Sequence, residues 1–255
     1  MSANSGAEVA HQVADAETAD SRWKGLYRIG GVAILLTLGF YLTELIVFSV
    51  ANRPFPATMN DWFSLFQESK LLGLFYLNSL DMISIALMGP MFLALYRALR
   101  HENETWMIVA VFFACVGIPV FIAPRSASLA MLSLSDKFAA ATTDAQRSQI
   151  LTVGESATLG QPTPQTLGFL FIAVAVLIVS VVMLRSKSFG KVTAYVGMLS
   201  SILTLVGFVS VVIAPPIAEF LMVAGMVPWA IWWILIARRL LQLGRPETKP
   251  LSQLS

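Results

Sequence analysis

The stretch Thr166–Leu184, TLGFLFIAVAVLIVSVVML, decides what kind of protein this chain is. It contains no charged residue, and its only hydroxyl side chains are those of Thr166 and Ser180. A helix needs about 20 predominantly apolar residues to cross the hydrocarbon layer of a membrane. Inside that layer a helix also satisfies its own backbone hydrogen-bonding groups. The stretch therefore predicts a transmembrane helix.

Five further apolar stretches of similar length lie on either side of it. They are residues 30–50, 71–96, 106–123, 192–213 and 217–237. The composition agrees, because 56% of the 255 residues are hydrophobic and only 13% are charged, whereas a soluble domain carries about 25% charged residues. We therefore predict an all-α fold, a polytopic transmembrane helix bundle with six spans in one membrane domain over residues 22–244.

Two segments between the spans carry helix-start signals. Thr58 is followed three residues later by Asp61 and then by Trp62 and Phe63, which predicts a short helix lying in the membrane interface. Thr143 with Gln146 forms a second capping pattern, so the long third loop is expected to be partly helical.

The two ends of the chain lie outside the apolar stretches. Residues 1–21 contain four acidic residues and no Lys or Arg, which is typical of a disordered tail. Residues 245–255 are predicted to form a second tail, and both tails are expected to be cytoplasmic.

The distribution of basic residues predicts the orientation. With six spans both termini lie on one side, and 12 of the 17 Lys and Arg residues fall on that side. The other side holds the remaining five: Arg53, Lys70, Arg125, Lys137 and Arg147. Because cytoplasmic loops carry the excess of Lys and Arg, we expect both termini to be cytoplasmic.

Several kinds of chemistry have no support in the sequence. Both histidines, His11 and His101, lie outside the spans, and the chain has no HExxH or GxxxxGK[ST] motif. We therefore predict no metal and no cofactor. A net charge of +2 gives no reason to expect a nucleic acid partner. The expected partners are the lipid bilayer and either other membrane proteins or a small-molecule ligand.

The candidate polar site consists of the few ionisable residues in the spans and their neighbours. An acid inside a membrane must face the bundle interior, pair with a base or be protonated. Helical spacing places Tyr41 on one face with Glu44, and Asn78 on one face with Asp81. Counting along the spans puts the acids in the outer half, with Asp81 closest to the middle. The site residues are Glu44, Asp81, Glu219, Asn78, Tyr41 and Arg125.

Two interpretations of these acids stay open. They can be structural, with Asp81 bonded to a neighbouring helix and Glu44 or Glu219 either reaching the headgroup region or paired with Arg125. They can instead form a substrate or proton site. Elsewhere, Trp229, Trp232 and Trp233 are interpreted as an interface anchor, and Cys115 as a small core residue.

Three motifs resemble a family of six-helix bacterial membrane proteins that is classed as a domain of unknown function. They are Leu80-Asp81 with Leu95-Tyr96-Arg97; Arg185-Ser186-Lys187-Ser188-Phe189-Gly190-Lys191 with Tyr195-Val196-Gly197; and Glu219 with Trp229-Ala230-Ile231-Trp232 and Arg238-Arg239-Leu240. The resemblance covers residues 22–244. It implies six helices and a bacterial inner membrane, and it supplies no activity.

Three functional hypotheses follow, in order of preference. The first is a non-enzymatic membrane protein, either structural or regulatory or binding a small molecule. The alternative is a small-molecule transporter or an ion- or proton-coupled transporter that uses the intramembrane acids. An intramembrane enzyme comes third, because the sequence places no second carboxylate beside Asp81 for acid–base catalysis.

Overall fold

The computed structural model describes residues 23–159 and 162–245. Within these ranges the chain forms helices and connecting loops and no strand. Ten helices follow one another: α1 (Lys24–Ala51), α2 (Met59–Glu68), α3 (Lys70–Tyr76), α4 (Leu80–Leu99), α5 (Glu104–Ser128), α6 (Ala130–Ala140), α7 (Asp144–Leu159), α8 (Pro162–Met183), α9 (Lys191–Ile213) and α10 (Pro215–Leu243). Six of them, α1, α4, α5, α8, α9 and α10, are long and apolar enough to cross a membrane. The all-α fold with six spans is therefore confirmed. The two predicted tails lie outside the described residues, apart from Arg245.

The six spanning helices form a closed ring. Each packs against the next one along the chain, in the order α1, α4, α5, α8, α9 and α10, and α10 packs back against α1. Small residues allow the closest approaches, as is common between membrane helices. At the crossing of α5 and α8, a Cβ atom on Gly168 would lie 2.5 Å from the backbone nitrogen of Phe121 and 2.8 Å from the carbonyl oxygen of Gly117.

The ring has two different ends. At the terminal end, where α1 begins and α10 finishes, the Nε of Arg28 donates a hydrogen bond of 2.7 Å to the carbonyl of Gly244. At the opposite end, which we call the cap end, α2, α3, α6 and α7 lie between the spans. At the terminal end the ring is therefore closed by a hydrogen bond between α1 and the end of α10, the two spanning helices that are furthest apart in the sequence.

The cap helices have a small core of their own. The predicted capping box is present at the start of α2, where the Thr58 and Asp61 side chains each bond the other's backbone. These hydrogen bonds also lower the pKa of Asp61 below its ordinary value. Phe63 and Phe66 of α2 are fully buried in a cluster with residues of α6 such as Met131. The apolar face of α2, which was expected to lie on lipid, is thus largely covered by protein.

The second predicted span, residues 71–96, is not one helix. It divides into α3 and α4, because Asn78 has a left-handed backbone with φ of 51°, a conformation that asparagine tolerates better than most residues. Asp81 therefore lies in the first turn of α4, directly after the break, and not in the interior of one long helix.

Two further sequence interpretations are also wrong. Trp229, Trp232 and Trp233 are exposed by only 4%, 0% and 7%, so they are core residues and not an interface anchor. Trp229 donates a hydrogen bond of 3.1 Å from Nε1 to the hydroxyl of Thr204 on α9. Cys115, interpreted as a core residue, lies on the exposed surface of α5.

Candidate functional site

Arg125, near the end of α5, is the centre of the candidate site. It is only 6% exposed, and its Nη2 lies 3.0 Å from Oδ2 of Asp81 on α4. Its Nη1 donates to the carbonyls of Leu77 (3.1 Å) and Asn78 (2.9 Å). These carbonyls are available because the turn between α3 and α4 interrupts the helical hydrogen-bond ladder. The guanidinium of Arg125 thus bonds both to the carbonyls of the turn between α3 and α4 and to the first carboxylate of α4.

A second carboxylate lies beside this pair. Glu44 of α1 is 5% exposed and Asp81 is 8% exposed, and the side chains of Glu44 and Tyr41 are both neighbours of Asp81. Oε1 of Glu44 and Oδ1 of Asp81 are buried and have no hydrogen-bond partner among the described residues. The cluster therefore brings two carboxylates and one guanidinium together and leaves carboxylate oxygens unsatisfied.

The register of α1 against α4 explains why Glu44 reaches Asp81. The hydroxyl of Thr37 donates to the carbonyl of its own helix at Ala33 (3.0 Å) and to that of Ser84 on α4 (3.2 Å). Tyr41 and Glu44 follow Thr37 on the same face, one and two turns further along α1. The Thr37 contact therefore fixes both side chains at the level of Asp81.

A cavity of about 690 Å³ adjoins the cluster. All six spanning helices contribute to its wall, among others through Tyr41 of α1, Asp81 of α4, Phe121 of α5, Phe169 of α8, Phe208 of α9 and Trp233 of α10. The wall is mainly aromatic and aliphatic, with a few hydroxyl groups and the one carboxyl of Asp81. Neither Glu44 nor Arg125 is part of the wall.

The cavity opens on the outer surface of the ring, between α1 and α10. Leu45, Met226 and Val227 line it, yet they are 61%, 62% and 64% exposed, which places them at its mouth. Deeper inside, the rings of Tyr41 and Trp233 stack with centroids 5.3 Å apart. In a membrane this mouth faces lipid.

The structure brings together four of the six predicted site residues: Tyr41, Glu44, Asp81 and Arg125. Asn78 contributes its backbone carbonyl. Glu219 lies in α10, but its side chain is outside the described part of the structure. Arg125 pairs with Asp81, although the sequence had offered Glu44 or Glu219 as its partner.

Sequence reasoning missed the aromatic wall of the cavity. The residues concerned are Phe169, Phe208, Trp229 and Trp233. The spacing of Trp229 and Trp233, four residues apart on one helix face, was the available signal, and it was attributed to an interface anchor. The described residues contain no group of three or more His, Cys, Asp or Glu side chains placed to hold a metal ion.

Comparison with known proteins supports the family resemblance and adds no activity. The family described as Domain of unknown function (DUF4386) matches residues 30–237, a range that takes in most of the ring. No curated protein and no solved structure matches the chain. Function therefore has to be argued from the cluster and the cavity.

Proposed function

This chain belongs to the DUF4386 family, whose description names no activity, and from that premise we propose that it is a non-enzymatic membrane protein that binds a small apolar or amphipathic molecule. The molecule occupies the cavity inside the ring and enters from the lipid between α1 and α10. The observation that carries the proposal is the cavity of about 690 Å³ with its aromatic wall.

The composition of the cavity wall matches that of ligand sites in general. Pockets for small molecules have volumes of about 300–1,000 Å³ and are lined mainly by apolar and aromatic side chains with a few polar groups. Here the polar groups of the wall belong to Tyr41, Asp81, Thr166 and Thr204. A packed structural core would fill such a space, because protein interiors are as dense as organic crystals.

The proposed location is the bacterial inner membrane with both termini in the cytoplasm. The excess of Lys and Arg in the loops at the terminal end supports this orientation. The cap end, with the acid–arginine cluster, then lies on the outer side of the membrane.

The test is to fill the cavity and measure binding of a neutral probe, 1-pyrenebutanol, to protein in nanodiscs of zwitterionic lipid. A ligand that binds only the folded state raises the unfolding temperature, by a few degrees at about ten times the dissociation constant. Ala230 lines the cavity, so Ala230→Phe is expected to abolish most of this shift.

The matched control is Ala86→Phe. Ala86 is an exposed residue of α4 outside the cavity wall, so this variant should keep the full shift. Equal shifts in the wild type and both variants would mean that the probe acts through the lipid, and the proposed function would be wrong.

A second candidate function is ion- or proton-coupled transport of the bound molecule. It is favoured by one observation, the carboxylate of Glu44 beside the Asp81–Arg125 ion pair, because intramembrane acids of this kind often relay protons or cations. Proteoliposomes separate the two candidates. A transporter moves the molecule across the membrane, whereas a binding protein only retains it.

A further inference from the structure

We infer that the ligand of the cavity is a lipophilic cation, an amine or ammonium group carried on an apolar body. This inference rests on the proposed function and specifies the chemical class of the ligand. It follows from the charge of the cluster, the fixed position of Arg125 and the aromatic wall.

When both acids are ionised, the cluster of Glu44, Asp81 and Arg125 carries one net negative charge. Glu44 and Asp81 supply two carboxylates, and Arg125, which pairs with Asp81, supplies the only cation that the structure shows acting on them within the described residues. A buried charge without a partner is costly in the low-dielectric interior of a membrane protein. The site is therefore completed by one further positive charge.

Arg125 cannot supply the missing interactions by moving between the two acids. Its Nη1 is held by the carbonyls of Leu77 and Asn78, and its Nη2 is held by Asp81. Its guanidinium carbon also lies 5.0 Å from the centroid of the Phe121 ring. Oδ1 of Asp81, a residue of the cavity wall, and Oε1 of Glu44 beside it have no hydrogen-bond donor among the described residues, and an ammonium group in the cavity is a donor for Asp81.

The cavity wall presents negative charge and hides positive charge. The carboxyl of Asp81 is part of the wall, while the carboxyl of Glu44 and the guanidinium of Arg125 are not. Next to Asp81 in the wall is Tyr41, whose ring stacks on that of Trp233, and aromatic rings attract cations to their free faces. A cation is therefore attracted at this point, and an anion is repelled.

The experiment compares three probes that share one apolar body: 1-pyrenebutylamine, 1-pyrenebutanol and 1-pyrenebutyrate. Dissociation constants are obtained from thermal-shift titrations of the full chain in zwitterionic nanodiscs. We expect the wild type to bind the amine at least about tenfold more tightly than the alcohol, because hydrogen bonds to charged groups are stronger than neutral ones. The carboxylate should bind most weakly.

Two variants and one control test whether the preference for the amine over the alcohol arises from the acids of the cluster. Asp81→Asn and Glu44→Gln should each bring the affinity for the amine close to the affinity of the same variant for the alcohol. Glu44→Gln keeps the Asp81–Arg125 ion pair, so it remains informative if Asp81→Asn folds poorly. Asp136→Asn, which changes an exposed acid paired with Lys70 outside the cavity, should leave the preference intact.

The possible failures are distinguishable. If the wild type binds amine and alcohol equally, the inferred charge is wrong and the cavity still binds an apolar molecule. If Asp136→Asn removes the preference as strongly as Asp81→Asn, the preference arises from surface charge, which also contradicts the inference. If no probe binds, the proposed function fails and the inference fails with it.

Discussion

Arg125 is the residue on which most of the cluster depends. Its planar group satisfies one carboxylate and two backbone carbonyls at once, a geometry that lysine, with its single ammonium, does not reproduce. Breaking a buried ion pair by removing one partner typically costs about 3–5 kcal/mol, because the remaining charge is left uncompensated.

We therefore expect Arg125→Gln to lower the free energy of unfolding by about 3 kcal/mol. In the double variant with Asp81→Asn the loss should be smaller than the sum of the two single losses, since the second change removes a charge that the first left unpaired. Denaturation of the four proteins in micelles measures this. Additive losses would mean that Arg125 and Asp81 do not stabilise each other.

The sequence predicted part of the cluster, and the reason for the missing part is physical. Helical spacing was enough to place Tyr41 and Glu44 on one face of α1. It could not show that Arg125 meets Asp81, because periodicity describes one helix at a time and not which helices become neighbours. A second carboxylate beside Asp81, which the sequence analysis did not find, is supplied by α1 for the same reason.

Among the helices, α5 and α8 approach each other closely at Gly168. The atoms that a Cβ on Gly168 would meet belong to the backbone of α5, so they cannot rotate away as a side chain would. Overfilling such a contact generally costs about 1–3 kcal/mol. Gly39 of α1 is the opposite case, because a Cβ there would meet nothing within 4 Å.

Gly168→Ala should therefore destabilise the protein by about 1–3 kcal/mol, while Gly39→Ala should be neutral or stabilise it by up to about 1 kcal/mol. Both variants make the same chemical change inside a spanning helix. Unfolding in micelles under identical conditions compares them. Equal stabilities would show that α5 and α8 can separate at no cost.

Hydropathy predicted the presence of the six spanning helices but missed the interruption before α4. The stretches before and after the Asn78-Ser79 pair are mainly apolar, and averaging hydropathy over a window hides one left-handed residue. A polar Asn78-Ser79 pair inside an apolar run was the only trace of the break in the sequence.

For the molecule as a whole, the order of the helices in the ring fixes which loops share a side. The loop between α6 and α7 and the loop between α8 and α9 lie at opposite ends. In the proposed orientation the first of these loops, at the cap end, faces outward and the second faces the cytoplasm.

Labelling of single cysteines in intact cells tests this orientation, in a Cys115→Ala background because Cys115 is exposed. Ser148→Cys, at an exposed position of α7, should react with a membrane-impermeant reagent. Lys187→Cys, at an exposed position between α8 and α9, should react only after the cells are permeabilised. The reverse pattern would invert the topology and leave the ring unchanged.

The left-handed turn at Asn78 determines how deep in the bilayer a bound charge lies. The 20 residues of α4 rise about 30 Å, which matches the hydrocarbon thickness of a bilayer, so a helix that spans it upright places Asp81, in its first turn, near the boundary to the headgroups. In the binding mode that we propose, an amphiphile seated there keeps its head near this boundary and its body among the acyl chains. An amphiphile dissolved in one leaflet of the bilayer already has this orientation. Binding of the amphiphile then requires only lateral diffusion within that leaflet, and the molecule does not have to cross the bilayer.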